Sequence, residues 1–240
     1  MDTAQTVSLI EDILKGNKTR KDLDVVEDKA LRAALQKVSF VVLEKQIAYR
    51  SLNDLRINYD KIINALSCAI VLLQSDKNFP GYSEAARHSL EIISLELPFH
   101  NAALYLVPEN PGEDGLVELV GYYNREEQRV IITGDQEEPL IHGPEEGIIG
   151  WVSQHRETAL LGDVERDTRF LPIDGLGMQV SSLICTPLVS RGKFMGVLSF
   201  SHHIKGFFHE HDIRILETMG EFIAYYLYHS VLVGCAEESP

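Results

Sequence analysis

Ser182-Leu183-Ile184-Cys185-Thr186-Pro187-Leu188-Val189, then Ser190-Arg191-Gly192-Lys193, then Phe194-Met195-Gly196-Val197-Leu198-Ser199-Phe200-Ser201-His202, is the stretch that decides the fold. Two runs rich in β-branched and apolar residues flank a glycine-containing turn, so 182–189 and 194–202 are expected to pair as an antiparallel hairpin. Side chains alternate between the faces of a strand. One face of the first run carries Leu183, Cys185, Pro187 and Val189, the other Ser182, Ile184, Thr186 and Leu188. Both faces are substantially apolar, which predicts a sheet covered on both sides.

Upstream of the hairpin, short β-rich runs separated by turn residues give strands at 101–107, 116–123, 129–133 and 158–161. The turn at 108–112, with Pro108, Asn110, Pro111 and Gly112, joins the first two, and an acidic stretch at 134–146 reads as an exposed loop. Gly147 and Gly150 suit a chain that turns sharply out of that loop into a short helix ending near His155. Downstream, Ile213, Leu216, Phe222, Ile223, Leu227 and Val231 form the inward stripe of a closing helix at 210–233, and 234–240 is a tail. Phe208 can staple the start of that helix, and Asp212 must supplement His209, a weak N-cap. The fold class is therefore α+β, an antiparallel sheet with flanking helices.

Ahead of the sheet the sequence is helical. A helix at 82–97 buries Ala85, Ala86, Leu90, Ile93 and Leu97, and Pro80-Gly81 separates it from what precedes. Residues 1–81 read as a helical arm. Its short helix, 7–15, is capped by Thr6 and stopped by Gly16-Asn17. No glycine or proline occurs from Asn17 to Phe79, so a long helix follows over about 24–75. Within it Leu31, Leu35, Val38, Val42, Lys45, Tyr49, Leu52, Arg56, Tyr59, Ile63, Leu66, Ile70 and Leu73 are spaced by alternating steps of four and three. That spacing makes a coiled-coil seam and predicts a parallel homodimer centred on Val38, Val42, Tyr49, Leu52, Tyr59, Ile63 and Leu66. Phe40, Val41, Leu43, Ile47, Leu55 and Ile62 widen the stripe, so a four-helix arrangement that includes the closing helix of each chain is expected. The alternative is an intrachain hairpin with a break near Ser51 or Asn53.

Charge narrows the partners. The net charge of −14 is uneven: residues 1–75 carry 11 basic and 10 acidic side chains, residues 76–232 carry 11 and 24. An acidic surface repels a phosphate backbone, so no nucleic-acid partner is expected. The longest mostly apolar stretch, 222–233, falls short of the roughly 20 residues a spanning helix needs, so no membrane association is expected either. The absence of a signal-peptide core and an odd count of cysteines, Cys68, Cys185 and Cys235, point to the cytoplasm.

Several blocks resemble the GAF family in order and spacing: Gly147-Ile148-Ile149-Gly150-Trp151-Val152; Asp163, Asp167 and Arg169-Phe170; Ser182-Leu183 with Thr186-Pro187-Leu188; Gly196-Val197-Leu198; and Phe208 with Asp212. The resemblance spans 82–233. It implies a sensory domain whose sheet has helices on one face and a loop-covered ligand pocket on the other, bordered by 163–180. The candidate ligand contacts are then Tyr105, Trp151, Asp163, Asp167, Arg169, Phe170, Met178 and Ser182. Two bland roles stand beside these: Arg169 can pair with Asp163 or Asp167 while Phe170 plugs the core, and Trp151 and Tyr105 can simply pack.

No catalytic constellation is found. Ile148 and Ile149 stand where relatives that reduce free methionine sulfoxide carry a cysteine, Cys185-Thr186 is not the Cys-His pair that attaches bilins, and 163–170 departs from the Asn-Lys-Phe-Asp pattern of cyclic-nucleotide-binding relatives. His202-His203 and His209-Glu210-His211 complete no metal-ligand pattern, and nothing selects a haem ligand among the other histidines. The cofactor is left unknown. The expectation is a regulatory signal-transduction protein, not an enzyme, in which a small ligand alters helix packing or the binding of a separate output protein. The alternative is a ligand-free interaction or dimerisation module.

Overall fold

The two periods in the sequence become five α-helices and seven strands among the described residues. In the computed structural model these are α1 (Thr3–Leu14), α2 (Lys29–Leu73), α3 (Tyr82–Glu96), β1 (Asn101–Leu106), β2 (Val117–Asn124), β3 (Arg129–Ile132), β4 (Ile141–His142), α4 (Gly147–His155), β5 (Ala159–Leu161), β6 (Ser182–Ser190), β7 (Lys193–His202) and α5 (Glu210–Glu237). Residues 3–15, 17–18, 20–24, 26–74, 79, 81–97, 101–108, 115–133, 139–173, 176 and 178–237 are described, the last side chain being that of residue 229. Gly16, Pro80, the turn residues 109–112, the acidic segment 134–138, the inward-facing Val231, the Cys235 thiol and the tail at 238–240 lie outside them. The chain divides into two compact units, 1–60 and 61–240.

In the first unit, α1 and the start of α2 close a small core of Leu9, Ile13, Leu23, Val26 and Leu35. The long helix begins at Lys29, a few residues after the expected start. Asp28 caps it: its side-chain oxygen accepts from the Ala30 and Leu31 amides at 2.8 and 3.1 Å. Between 38 and 60 the helix has little to pack on, and Tyr49, Leu52 and Tyr59 are each more than 60% exposed.

In the second unit every strand pairing is antiparallel, in the order β3-β2-β1-β7-β6-β5, with β4 also paired to β2. The hairpin turn is Arg191-Gly192, both at positive φ, which is what a two-residue turn between right-twisted strands requires. Two cores sandwich the sheet. On one face Ala102, Leu104 and Leu106 of β1 join Leu198 and Phe200 of β7, Leu90 and Ile93 of α3, Leu216 and Ile223 of α5, and Ala65, Cys68 and Leu72 of α2. On the other, Ala103 and Tyr105 join Leu183, Cys185 and Val197, covered by Ile148, Ile149 and Val152 of α4 and by Phe170, Met178 and neighbours. The helices thus lie mainly on one face, with α4 and a loop on the other.

The start of α5 is built as the sequence suggested. Asp212 accepts from the backbone amide of His209 at 2.8 Å, and Phe208 is buried in the helix-side core beside the partly buried Ile213. The other Asp212 oxygen meets Lys61 of α2 at 2.7 Å, with the two side chains 3% and 12% exposed. β4 was not foreseen. Two residues inside a Pro- and Glu-rich loop carry no readable alternation, yet they pair with Val117 and Glu118.

Candidate functional site

Register between β1 and β7 sets the floor of the site. Asn101 faces Ser201, Ala103 faces Ser199 and Tyr105 faces Val197, so one polar end and one apolar end share a face of the sheet. Ile148 and Ile149 of α4 form a side wall. The segment after β5 crosses above, with Phe170, Leu171, Ile173, Leu176, Met178 and Val180 turned toward the floor. Together they line a partly open cavity of about 240 Å³.

Close backbone approach makes this geometry obligatory. A Cβ on Gly150 would fall on the carbonyl oxygen of Gly143, and one on Gly196 would fall on that of Tyr105. The first lets α4 sit tight against the preceding loop, and the second lets β7 pass β1 beside the floor.

The eight residues nominated from the sequence separate into two places. Tyr105, Phe170 and Met178 line the cavity. Trp151, Asp163, Asp167, Arg169 and Ser182 lie outside its lining. Arg169 forms a two-pronged bridge to Asp167, with Nε to Oδ1 at 3.0 Å and Nη2 to Oδ2 at 2.7 Å, and its guanidinium lies 4.6 Å from the Trp151 ring centroid. His155 stacks on the same ring at 4.5 Å. Hydrogen bonds from Arg169 hold the Asp167 carboxyl below its ordinary range. This clasp pins the segment to α4 from outside. Asp163 pairs with Arg166 and Lys205 at 3.3 and 3.1 Å. Desolvation alone would raise its carboxyl, but Lys205 and the Glu165 amide pull it lower. Ser182 Oγ donates to the Ile204 carbonyl at 2.8 Å.

Asn101, Ser199, Ser201, Ile148 and Ile149 line the cavity without having been nominated. The signal for the polar trio was present in the alternation of β7, where Ser199 and Ser201 share a face, but only the pairing of β1 brings Asn101 beside them. Asn101 Nδ2 donates to Ser201 Oγ at 3.3 Å, while its carboxamide oxygen is buried and has no partner among the described residues.

Burial favours the neutral form of three titratable groups on this face. Burial pushes the Cys185 thiol up to about 12, against a hydrogen bond with Ser199 that lowers it, and burial likewise raises the Tyr105 phenol. Burial also lowers the His142 imidazole, which lies edge-on to Tyr105 at 5.6 Å. Cys68 sits in the opposite core and is also pushed to about 12, mainly by burial. Neither described thiol is poised as a nucleophile. His202 accepts from the Ile204 amide at 3.0 Å and stacks on Phe207 at 3.6 Å, and among the described residues no cluster of three metal-ligating side chains occurs. Among the same residues no helix is long and apolar enough to cross a membrane.

The family model of the GAF domain matches residues 82–227, well over half of the chain. The chain belongs to the GAF domain family. Solved structures with the same fold include the GAF domain of a phosphoenolpyruvate-protein phosphotransferase (ptsP) from Coxiella burnetii, 19% identical, covering 72% of this chain and 98% of that one at a TM-score of 0.56. The GAF domain of A. aeolicus nlh2 in an inactive state is 15% identical, with coverage of 71% and 97% and a TM-score of 0.53. Free methionine-R-sulfoxide reductase from Neisseria meningitidis, in complex with its substrate, is 15% identical, with coverage of 70% and 89% and a TM-score of 0.54. At these identities the likeness shows the fold alone. No curated protein matches the chain. The cavity of this GAF domain lies between the sheet and the clasped segment.

Proposed function

We propose that this chain is a regulatory sensory protein whose GAF domain binds a small molecule in the cavity between β1, β7, α4 and the segment at 170–180, and passes the binding on through its helices. The observation that carries this is the 240 Å³ space whose lining includes Asn101, a buried residue whose carboxamide oxygen has no partner among the described residues. Packed interiors seldom leave such volume, and ligand sites combine an apolar lining with a few placed polar groups. β1 supplies a route for the signal: alternate residues of one strand face the cavity and the core shared by α2, α3 and α5. A ligand that favours one arrangement of that strand biases the helices behind it.

The output surface is the α2 seam, which pairs with the same seam of a second chain. Within the second unit, Ala65, Cys68 and Leu72 are buried against α3 and α5 while Ile63, Leu66, Ile70 and Leu73 are exposed. In the first unit Val38, Tyr49, Leu52 and Tyr59 are exposed likewise. From Val38 onward several heptad positions are thus left open, together with the flanking Phe40, Val41, Leu43, Ile47 and Leu55, while Leu35 is buried in the first unit's own core. A separate output protein would read the state of the paired helices.

Native mass spectrometry of the protein isolated from its own host tests both parts together. The expected spectrum is a dimer carrying a small adduct on each chain, released on denaturation. A bare monomer at micromolar concentration would remove this reading.

A further inference from the structure

Among the described residues the cavity lining contains no acidic, basic or histidine side chain. A carboxylate, phosphate or ammonium placed there would lose its hydration without gaining a counter-charge from a described lining residue. The polar side chains of the lining are Asn101, Ser199, Ser201 and Tyr105; of these Asn101, 2% exposed, has its side-chain nitrogen engaged by Ser201 and its oxygen without a partner among the described residues. Ser199, on the same face of the sheet, does not satisfy it either. A buried acceptor without a donor is costly, and a ligand that supplies the donor recovers that cost. The opposite wall, Ile148, Ile149, Phe170 and Met178, is apolar. As for size, an apolar cavity of about 150 Å³ accepts benzene, so this one has room for one or two fused rings.

We propose that the cavity takes a neutral one- or two-ring molecule whose N–H or O–H donates to the Asn101 carboxamide oxygen while its rings lie against Ile148, Ile149, Phe170 and Met178. The proposal rests on the reading of this cavity as the ligand site. It assigns Asn101 as the residue that selects among ligands of equal shape.

Calorimetric titration of the full-length chain with indole, benzothiophene and indole-3-carboxylate tests it. Indole and benzothiophene share a bicyclic outline, but only indole has an N–H. Indole is expected to bind tighter by about fivefold or more although it is the less hydrophobic of the two. Indole-3-carboxylate should bind weaker than indole by about a hundredfold or more. In Asn101→Leu the preference between indole and benzothiophene should invert. Equal or tighter binding of benzothiophene by the wild-type chain overturns the donor pairing and leaves the cavity reading standing. Equal binding of the carboxylate overturns the neutrality of the ligand, and an Asn101→Leu protein that keeps the wild-type preference overturns the assignment to Asn101. Should that variant not fold, the comparison in the wild-type chain still decides. Failure of all three compounds to bind removes the cavity reading itself, and this proposal with it.

Discussion

At Gly150 and Gly196 a side chain has nowhere to go. The atoms in the way are backbone carbonyl oxygens, which cannot swing aside as the end of a flexible side chain would. Gly150→Ala and Gly196→Ala should each destabilise the protein by about 2–4 kcal/mol through strain and overpacking. Urea unfolding followed by circular dichroism measures this, and a loss within about 0.5 kcal/mol, typical of an open surface site, would contradict the close approach. His142 gives a residue-scale dependence on pH. Its imidazole is buried, neither ring nitrogen has a partner among the described residues, and burial lowers its pKa from 6.5, opposed only in part by Glu146. The unfolded imidazole therefore takes up a proton at a pH where the folded one does not. Its contribution is fully present above the unfolded value and is lost as pH falls below about 6.5 toward the lowered folded value. Relative to His142→Phe, the wild-type chain should lose stability between about pH 7.5 and about pH 5.5; parallel denaturation profiles would count against the buried neutral imidazole.

Elements hold these residues through a few polar fastenings. Lys61 of α2 and Asp212 of α5 form one, and Asp212 also caps its own helix. Removing the cation leaves a buried carboxylate with only the His209 amide and, at 3.6 Å, His211 beside it, so Lys61→Met should cost about 3–5 kcal/mol, whereas Lys61→Arg should cost much less. Thermal unfolding monitored by calorimetry distinguishes the two; equal losses would mean that Lys61 acts by packing alone. The clasp of Trp151, Arg169 and Asp167 is the second fastening. Arg169→Ala should loosen the cover of the cavity and reduce retention of a bound small molecule more than it lowers the melting temperature, as read by native mass spectrometry beside a thermal melt. Proportionate losses in both would place Arg169 in the scaffold. The clasp also shows what could be read in advance. Helical spacing puts Ile148, Trp151, Val152 and His155 on one broad face of α4, as i, i+3, i+4 and i+7, so the position of Trp151 outside the cavity lining was not available from the period of the sequence. The partner of Arg169 was legible only as a choice between two acids, because both lie within reach along the chain. Asn101 was not legible: a polar residue at the start of a strand acquires meaning only when register brings Ser201 opposite it. The hairpin at 182–202 was readable because both its faces and its turn spoke for the same pairing.

At the scale of the whole molecule, several regular apolar positions of the long helix face solvent. Leu52 and Tyr59 are 61% and 63% exposed, and burying such side chains against identical ones is worth about 1.5–3 kcal/mol apiece. The wild-type chain should be a dimer and the variant with both replaced by Asp a folded monomer, with light scattering and circular dichroism recorded together. A wild-type monomer, or an undisturbed dimer in the double variant, would show that the seam does not pair. The sheet offers no comparable surface. One margin, β5, is three residues long; the other is split between the four residues of β3 and the two of β4. A strand from another molecule laid alongside would find too few free amides and carbonyls to anchor on. Crowding such molecules therefore does not seed cross-β growth at the sheet margins, and a chain with so much apolar helix on display is protected from fibrillisation there by the brevity of its outermost strands.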